Sequence, residues 1–183
     1  MREIEIKIKV ENLKEIEQKL IESDCKLSSP IKQHDVIYSL DNSTKEFISS
    51  KEGDMVIRLR QMDDETQLNL KKQCSSELDN IEYETVVKDT KIMHSILEQL
   101  GWHPIVEVKK IRKKGKFKEY EICLDEVEGL GSFIELEKMA NDDSNLNEVR
   151  EELFSEIELL GLSRNMEETR GYDTQIFLKN NLK

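Results

Sequence analysis

Charged residues recur at alternate positions along this chain. Glu3, Glu5 and Lys7 are separated by Ile4 and Ile6. Arg58 and Arg60 flank Leu59, Asn69 and Lys71 flank Leu70, and Glu82 and Glu84 flank Tyr83. Further along, Lys110 and Arg112 flank Ile111, while Glu119, Glu121 and Asp125 keep one parity and Glu135 and Glu137 flank Leu136. Carboxylates are hard oxygen donors of the kind that hold Mg²⁺ or Mn²⁺. Lysine and arginine grip phosphate oxygens, arginine bidentately. A site with both sets suits a polyphosphate carrying bound divalent cations.

Such spacing works only on strands. A period of two sends each charged set to one side of a sheet and its apolar neighbours to the other. Residues 2–10 alternate strictly, with Ile4, Ile6, Ile8 and Val10 on one face. If the sheet closes into a barrel, the charged sets all point inward and the apolar outside packs against helices. That inverts the usual barrel, whose interior is apolar. The ordinary alternative is a set of half-wet antiparallel strands with cross-strand salt bridges. For any one strand that reading is the better one, and only the repetition over seven segments tips the balance. Charges buried in such numbers need partners, and those left over after mutual pairing need a ligand.

The remaining elements follow from periodicity and breakers. Asn12 is placed to cap a helix with Leu13, Ile16, Leu20 and Ile21 at helical spacing. Strands are expected over 34–40, 55–62, 67–72, 81–87, 106–113, 118–127 and 132–138, with a turn at Gly115. A loop is expected over 41–54, anchored by Phe47 and Ile48. Helices are expected over 90–100 and 146–160, ended by Gly101 and Gly161, with a short one over 172–178. The short middle connections make the strands antiparallel. The elements make an α+β chain of about eight strands with flanking helices. With two prolines, seven glycines and no repeat among 183 residues, one domain over 1–183 is the simplest organisation.

Composition narrows the function. Charged residues make up 37% and the net charge is −11, which argues against nucleic acid binding over the whole surface. No apolar run approaches the roughly 20 residues of a membrane span, and the first ten residues lack a signal peptide's apolar block. Cys25, Cys74 and Cys123 form neither a disulfide framework nor a metal motif, so free thiols and a cytoplasmic location are expected. His34, His94 and His103 lack zinc-ligand spacing and read as surface or packing residues.

These residues resemble the CYTH superfamily, the triphosphate tunnel metalloenzymes, from Glu3 to about Tyr172. Glu3-Ile4-Glu5-Ile6-Lys7 looks like its ExExK signature. The RxR, LTxK, ExE and KxR strands have counterparts at Arg58–Arg60, Leu68–Lys71 (with Asn69 where threonine is common), Glu82–Glu84 and Lys110–Arg112. The most specific piece is Leu124–Glu137, close to LDxVxGLGxFxExE. The resemblance implies the fold class α+β, a closed eight-stranded antiparallel β-barrel, or tunnel, with flanking helices, binding a triphosphate along its axis. Glu3, Glu5, Glu135 and Glu137, with Asp125, would be the metal-side carboxylates for two Mg²⁺ or Mn²⁺ ions. Lys7, Arg58, Arg60, Lys71, Lys110, Arg112 and Arg170 would hold the phosphates. Glu82 and Glu84 would be supporting groups or ligands of a second metal, and Glu5, Lys7 and Glu135 the catalytic set. Class IV adenylate cyclase, converting ATP to cyclic AMP and pyrophosphate, is the implied activity. The alternatives are a triphosphatase acting on inorganic, thiamine or nucleoside triphosphate, and a non-catalytic polyphosphate-binding module. The partner is a small-molecule triphosphate, not nucleic acid or membrane, and a homodimer stays open. One departure stands out. The family's DxY becomes Asp35-Val36-Ile37-Tyr38, which moves the tyrosine to the opposite sheet face unless a bulge intervenes. In some thiamine triphosphatases that tyrosine tunes a lysine base, so its displacement speaks against that activity.

Overall fold

Alternating strands with one apolar face bury it against helices, as residues 2–10 do here with Ile4, Ile6, Ile8 and Val10. A computed structural model describes residues 1–40, 51–63 and 65–181. Its elements are β1 (Arg2–Val10), α1 (Leu13–Glu22), β2 (Ile31–Ser39), β3 (Met55–Met62), β4 (Glu65–Ser76), β5 (Asp79–Val87), α2 (Thr90–Gln99), β6 (His103–Phe117), β7 (Tyr120–Val127), β8 (Gly131–Ala140), α3 (Leu146–Leu159), a 3₁₀ turn (Arg164–Met166) and α4 (Tyr172–Asn181). The expected loop anchors Phe47 and Ile48 lie outside the described residues. The strands follow the order β1-β5-β4-β3-β2-β6-β7-β8 in a closed antiparallel barrel with flanking helices, as the family resemblance implies.

The chain divides into two compact units. The first comprises Met1–Ile31 and Lys110–Thr169. Here β1 pairs with β8, β8 with β7, and β7 with the second half of β6. The apolar parity of these strands (Ile4, Ile6, Ile8, Ile122, Leu124, Ile134, Leu136) joins Ile16 and Leu20 of α1 and Leu153, Phe154 and Ile157 of α3 in one cluster. Each such side chain contributes about 1.5–3 kcal/mol when fully buried. Helix α1 starts where Asn12 accepts a hydrogen bond from the Glu15 N–H at 3.4 Å. Helix α3 is followed by Gly161 at φ +79°, a conformation that glycine adopts without steric cost.

The second unit comprises Lys32–Lys109 and Arg170–Lys183. It holds the β2–β3–β4–β5 meander. Tyr38, Ile57 and Leu59 pack there with Leu97 of α2, flanked by Met93 and Trp102. The β2–β3 register runs without a shift through Asp35–Arg60, Ile37–Arg58 and Tyr38–Ile57. Tyr38 therefore points away from the charged face, as its sequence position requires. It is buried against α2, its hydroxyl 2.9 Å from His94 Nδ1.

One expected turn is corrected. Gly115 is not a hairpin turn: β6 runs through it to Phe117, and the chain reverses at Lys118, whose φ is +56°. Gly115 instead admits the α1–β2 connection. It forms an isolated bridge with Leu27, and a Cβ at this position would lie 2.8 Å from the Lys26 carbonyl oxygen. A contact that short against backbone forces a shift. Gly115→Ala is expected to lower stability by about 1–3 kcal/mol in urea unfolding; an unchanged midpoint would remove the close approach from the account.

Candidate active site

In the first unit, cross-strand register brings the alternate charged residues of four strands onto one face. Lys7 lies opposite Glu135 and Glu5 opposite Glu137 across β1–β8. Arg112 lies opposite Asp125 across β6–β7, and Glu121 opposite Glu137 across β7–β8. Asp125 has no solvent exposure. It accepts hydrogen bonds from Arg112 Nε at 2.7 Å, Arg112 Nη2 at 2.5 Å and Lys110 Nζ at 3.1 Å. Arg112 also donates to Glu135. Burial alone would push the Asp125 carboxyl up, but Arg112 and then Lys110 outweigh it and hold it below the ordinary value. Burial likewise works against the Arg112 guanidinium, and Asp125 and Glu135 overcome it.

Lys7 is buried between two carboxylates, with Nζ 3.3 Å from Glu5 and 3.5 Å from Glu135. Its backbone carbonyl accepts the Glu168 N–H at 2.8 Å, which ties the segment after α3 to β1. Next to it, the electrostatics change sign. Carboxylate oxygens of Glu3, Glu5 and Glu137 converge to within 4.8 Å of one another. Burial first, then the charges of Glu3 and Glu5, push the Glu137 carboxyl well above its usual range. Three hard oxygen donors in mutual repulsion are what a divalent cation would relieve, so the residues fit an Mg²⁺ or Mn²⁺ ion. Glu137 also accepts from the Cys123 thiol at 3.9 Å.

The second unit carries its own charged face. Arg60 binds Asp35 bidentately at 2.8 and 2.7 Å, and Arg58 Nη1 lies 3.8 Å from the same carboxylate. Arg58 Nε donates to Asn69 at 3.4 Å, and Asn69 in turn donates to Glu84 at 2.5 Å. Lys71 pairs with Glu82. Arg170 is exposed, just ahead of α4.

The structure thus groups Lys7, Lys110, Arg112, Asp125 and Glu135 as an acid–base network, beside the carboxylate group of Glu3, Glu5 and Glu137. Asp125 faces bases rather than that carboxylate group. Sequence reasoning named Asp35 only in a motif and missed it as the anchor of Arg58 and Arg60. Its parity with Ile37 and its opposition to β3 were the available signal. Cys123 and Phe133 also share the charged parity and were missed, Phe133 lying under Lys9 with Nζ 5.7 Å from its ring centre.

A profile of the CYTH domain matches residues 1–172. The chain belongs to the CYTH family. A protein of Methanocaldococcus jannaschii provisionally named as an adenylate cyclase is 28% identical over 169 residues, covering 90% of this chain and 92% of that one. The solved PH1819 protein of Pyrococcus horikoshii superposes with a TM-score of 0.78 at 26% identity, covering 97% and 99% of the two chains. A Hippeastrum protein, described as a candidate adenylyl cyclase with a dominant triphosphatase activity, shares the fold at 18% identity, with a TM-score of 0.64 and 100% and 97% coverage. Among the described residues no helix is long and apolar enough to cross a membrane.

Two predictions follow from these charges. The Glu137 carboxyl is raised, so its ionised form is disfavoured in the fold. In metal-free protein this penalty is absent below the ordinary value of 4.5 and grows as pH rises above it. Glu137→Gln should therefore melt above the wild type at pH 8 and with it near pH 4, and added Mg²⁺ should stabilise only the wild type. The Asp125 carboxyl is lowered, so its stabilisation is present above 3.8 and lost as pH falls through the depressed folded value. Asp125→Asn leaves Arg112 and Lys110 under-paired and should cost about 3–5 kcal/mol at pH 7; a loss under about 1 kcal/mol would contradict the network.

Proposed function

We propose that this CYTH protein, with residues 1–183 as one functional domain, is a metal-dependent enzyme acting on a triphosphate, and that its reaction is conversion of ATP to cyclic AMP and pyrophosphate. The observation that carries the reading is the carboxylate group of Glu3, Glu5 and Glu137 set beside the bases Lys7, Lys110 and Arg112. Binding phosphate alone would need the bases and not the carboxylates, which speaks against a non-catalytic module. The name carried by the archaeal relative supports the cyclase over its alternatives.

In this reading Glu3, Glu5, Glu135 and Glu137, with Asp125 close by, would hold Mg²⁺ or Mn²⁺, and the ion would supply charge neutralisation and acidify the attacking oxygen. Lys7, Lys110 and Arg112 take the phosphate oxygens of the substrate, as do Arg58, Arg60, Lys71 and Arg170 of the second unit. Glu82 holds Lys71, and Glu84 holds Asn69, so both groups are aimed before substrate arrives. Glu5, Lys7 and Glu135 form the catalytic set: the two carboxylates orient the ammonium, and the ammonium neutralises charge building on the phosphoryl group. The ribose 3′-oxygen attacks the α-phosphorus and loses its proton to solvent water. The bond from that phosphorus to the α–β bridging oxygen breaks, and pyrophosphate leaves. Attack by water on the terminal phosphorus is the triphosphatase alternative, and the same phosphate ligands serve it.

Incubation with ATP, thiamine triphosphate and inorganic triphosphate, each with Mg²⁺ or Mn²⁺, separates these outcomes. Cyclic AMP and pyrophosphate from ATP are expected. Orthophosphate from inorganic triphosphate without cyclic AMP would make the protein a triphosphatase. Glu135→Ala is expected to lower metal-dependent turnover by about 10²–10³-fold, an effect of the size seen when one transition-state-stabilising group is removed. Undiminished turnover in folded Glu135→Ala would take Glu135 out of the site.

A further inference from the structure

The hairpin from β4 to β5 turns on Glu77 and Leu78, with Ser76 paired to Asp79. Connections of this kind ordinarily lie exposed at the surface. Here Leu78 is 3% exposed and Asp79 is 0% exposed. The Glu77 side chain reaches the head of α4. Its Oε2 accepts the Gly171 N–H at 2.6 Å and the Thr174 hydroxyl at 3.0 Å. The first N–H groups of a helix have no intrahelical partner, and that end is electropositive. Glu77 supplies the missing carboxylate from 94 residues away in the chain. Gly171 makes room for it: a Cβ there would lie 2.3 Å from Asp173 Oδ1 and 3.3 Å from Glu77 Oε2.

What α4 does once seated is visible in its apolar side. Phe177 and Ile176 cluster with Ile37, Val56, Ile105 and Val106. Ile37 lies directly opposite Arg58 in the β2–β3 ladder and shares the parity of Asp35. Val56 shares the parity of Arg58. Helix α4 therefore covers part of the charged face rather than the apolar face that α2 covers. Ion pairs and phosphate contacts strengthen where water is excluded.

We propose that Glu77 is a positioning residue: by holding the head of α4 it seats Phe177 over Ile37 and keeps water from the Arg58–Asp35–Arg60 group, so that these arginines grip the anionic end of a triphosphate. The proposal rests on the triphosphate reading above. Loss of Glu77 frees α4, wets the arginines and weakens substrate binding, while the carboxylates and Lys7 of the first unit are untouched. The expected signature is a rise in KM with kcat preserved.

The test uses the full chain. Glu77→Ala should raise amide hydrogen exchange across residues 172–181 about tenfold and raise KM for the triphosphate about tenfold, with kcat within about twofold. Glu77→Gln keeps one oxygen acceptor for the Gly171 N–H and should fall between the two proteins. Thr174→Val removes a single donor at nearly constant shape, so it tests the same anchor at about a threefold effect even if Glu77→Ala folds poorly. Unchanged exchange in α4 would overturn the anchor. Faster exchange with an unchanged KM would overturn the coupling to substrate. A wild-type protein that binds neither ATP nor inorganic triphosphate would end the triphosphate reading and the KM half of the proposal with it, and the exchange measurement would still decide the anchor.

Discussion

A carboxylate with no access to water cannot stay ionised alone, and Asp125 is the point where this constraint is most severe. Arg112 and Lys110 surround it and outweigh the cost of its burial. Because Arg112 also reaches Glu135, and Glu135 lies beside Lys7, one buried charge organises groups on β1, β6, β7 and β8. Every further charged residue on this face is either drawn into such pairing or left in repulsion. The side chains must be placed to within a hydrogen bond, and the strand registers supply that placement.

The two kinds of environment are what make the face chemically useful. Where acids meet bases, opposite charges are paired and hold their geometry without ligand. Where Glu3, Glu5 and Glu137 meet, the mutual repulsion of the carboxylates joins burial, and Glu137 is driven toward its protonated form. Local destabilisation of that sort is tolerated when the surrounding fold is strong, and the apolar cluster behind β1, β7 and β8 provides that strength. The unfavourable spot is also where a cation would gain most. Stability and chemistry are thus divided between the two faces of the same strands.

The second unit applies the same rule with different residues. A single carboxylate, Asp35, serves two arginines, and an amide, Asn69, relays between Arg58 and Glu84. The parity of Tyr38 has a structural consequence here. Tyr38 becomes part of the contact with α2, and Ile37 takes the place on the charged face, where it meets Phe177. The charged face is therefore apolar at position 37 and is covered there by α4.

Much of this was legible in the amino-acid order. Strict alternation in residues 2–10 and its repetition in later segments determined that strands would carry ions on one face and hydrocarbon on the other, because a period of two admits no other arrangement on a sheet. Asn12, Gly101 and Gly161 marked helix ends through local backbone chemistry alone. Tertiary structure decided everything that depends on which strands lie side by side. Gly115 looked like a turn because glycine favours turns, yet its role is to let Lys26 approach. The motif marked Asp125 as a site carboxylate, and only the register shows that Arg112 lies across from it, with Lys110 reaching the same carboxylate. The span from Glu77 to α4 left no trace in local spacing. Parity along a strand is a local property of the chain, whereas the partner across the ladder is chosen only when the whole sheet closes.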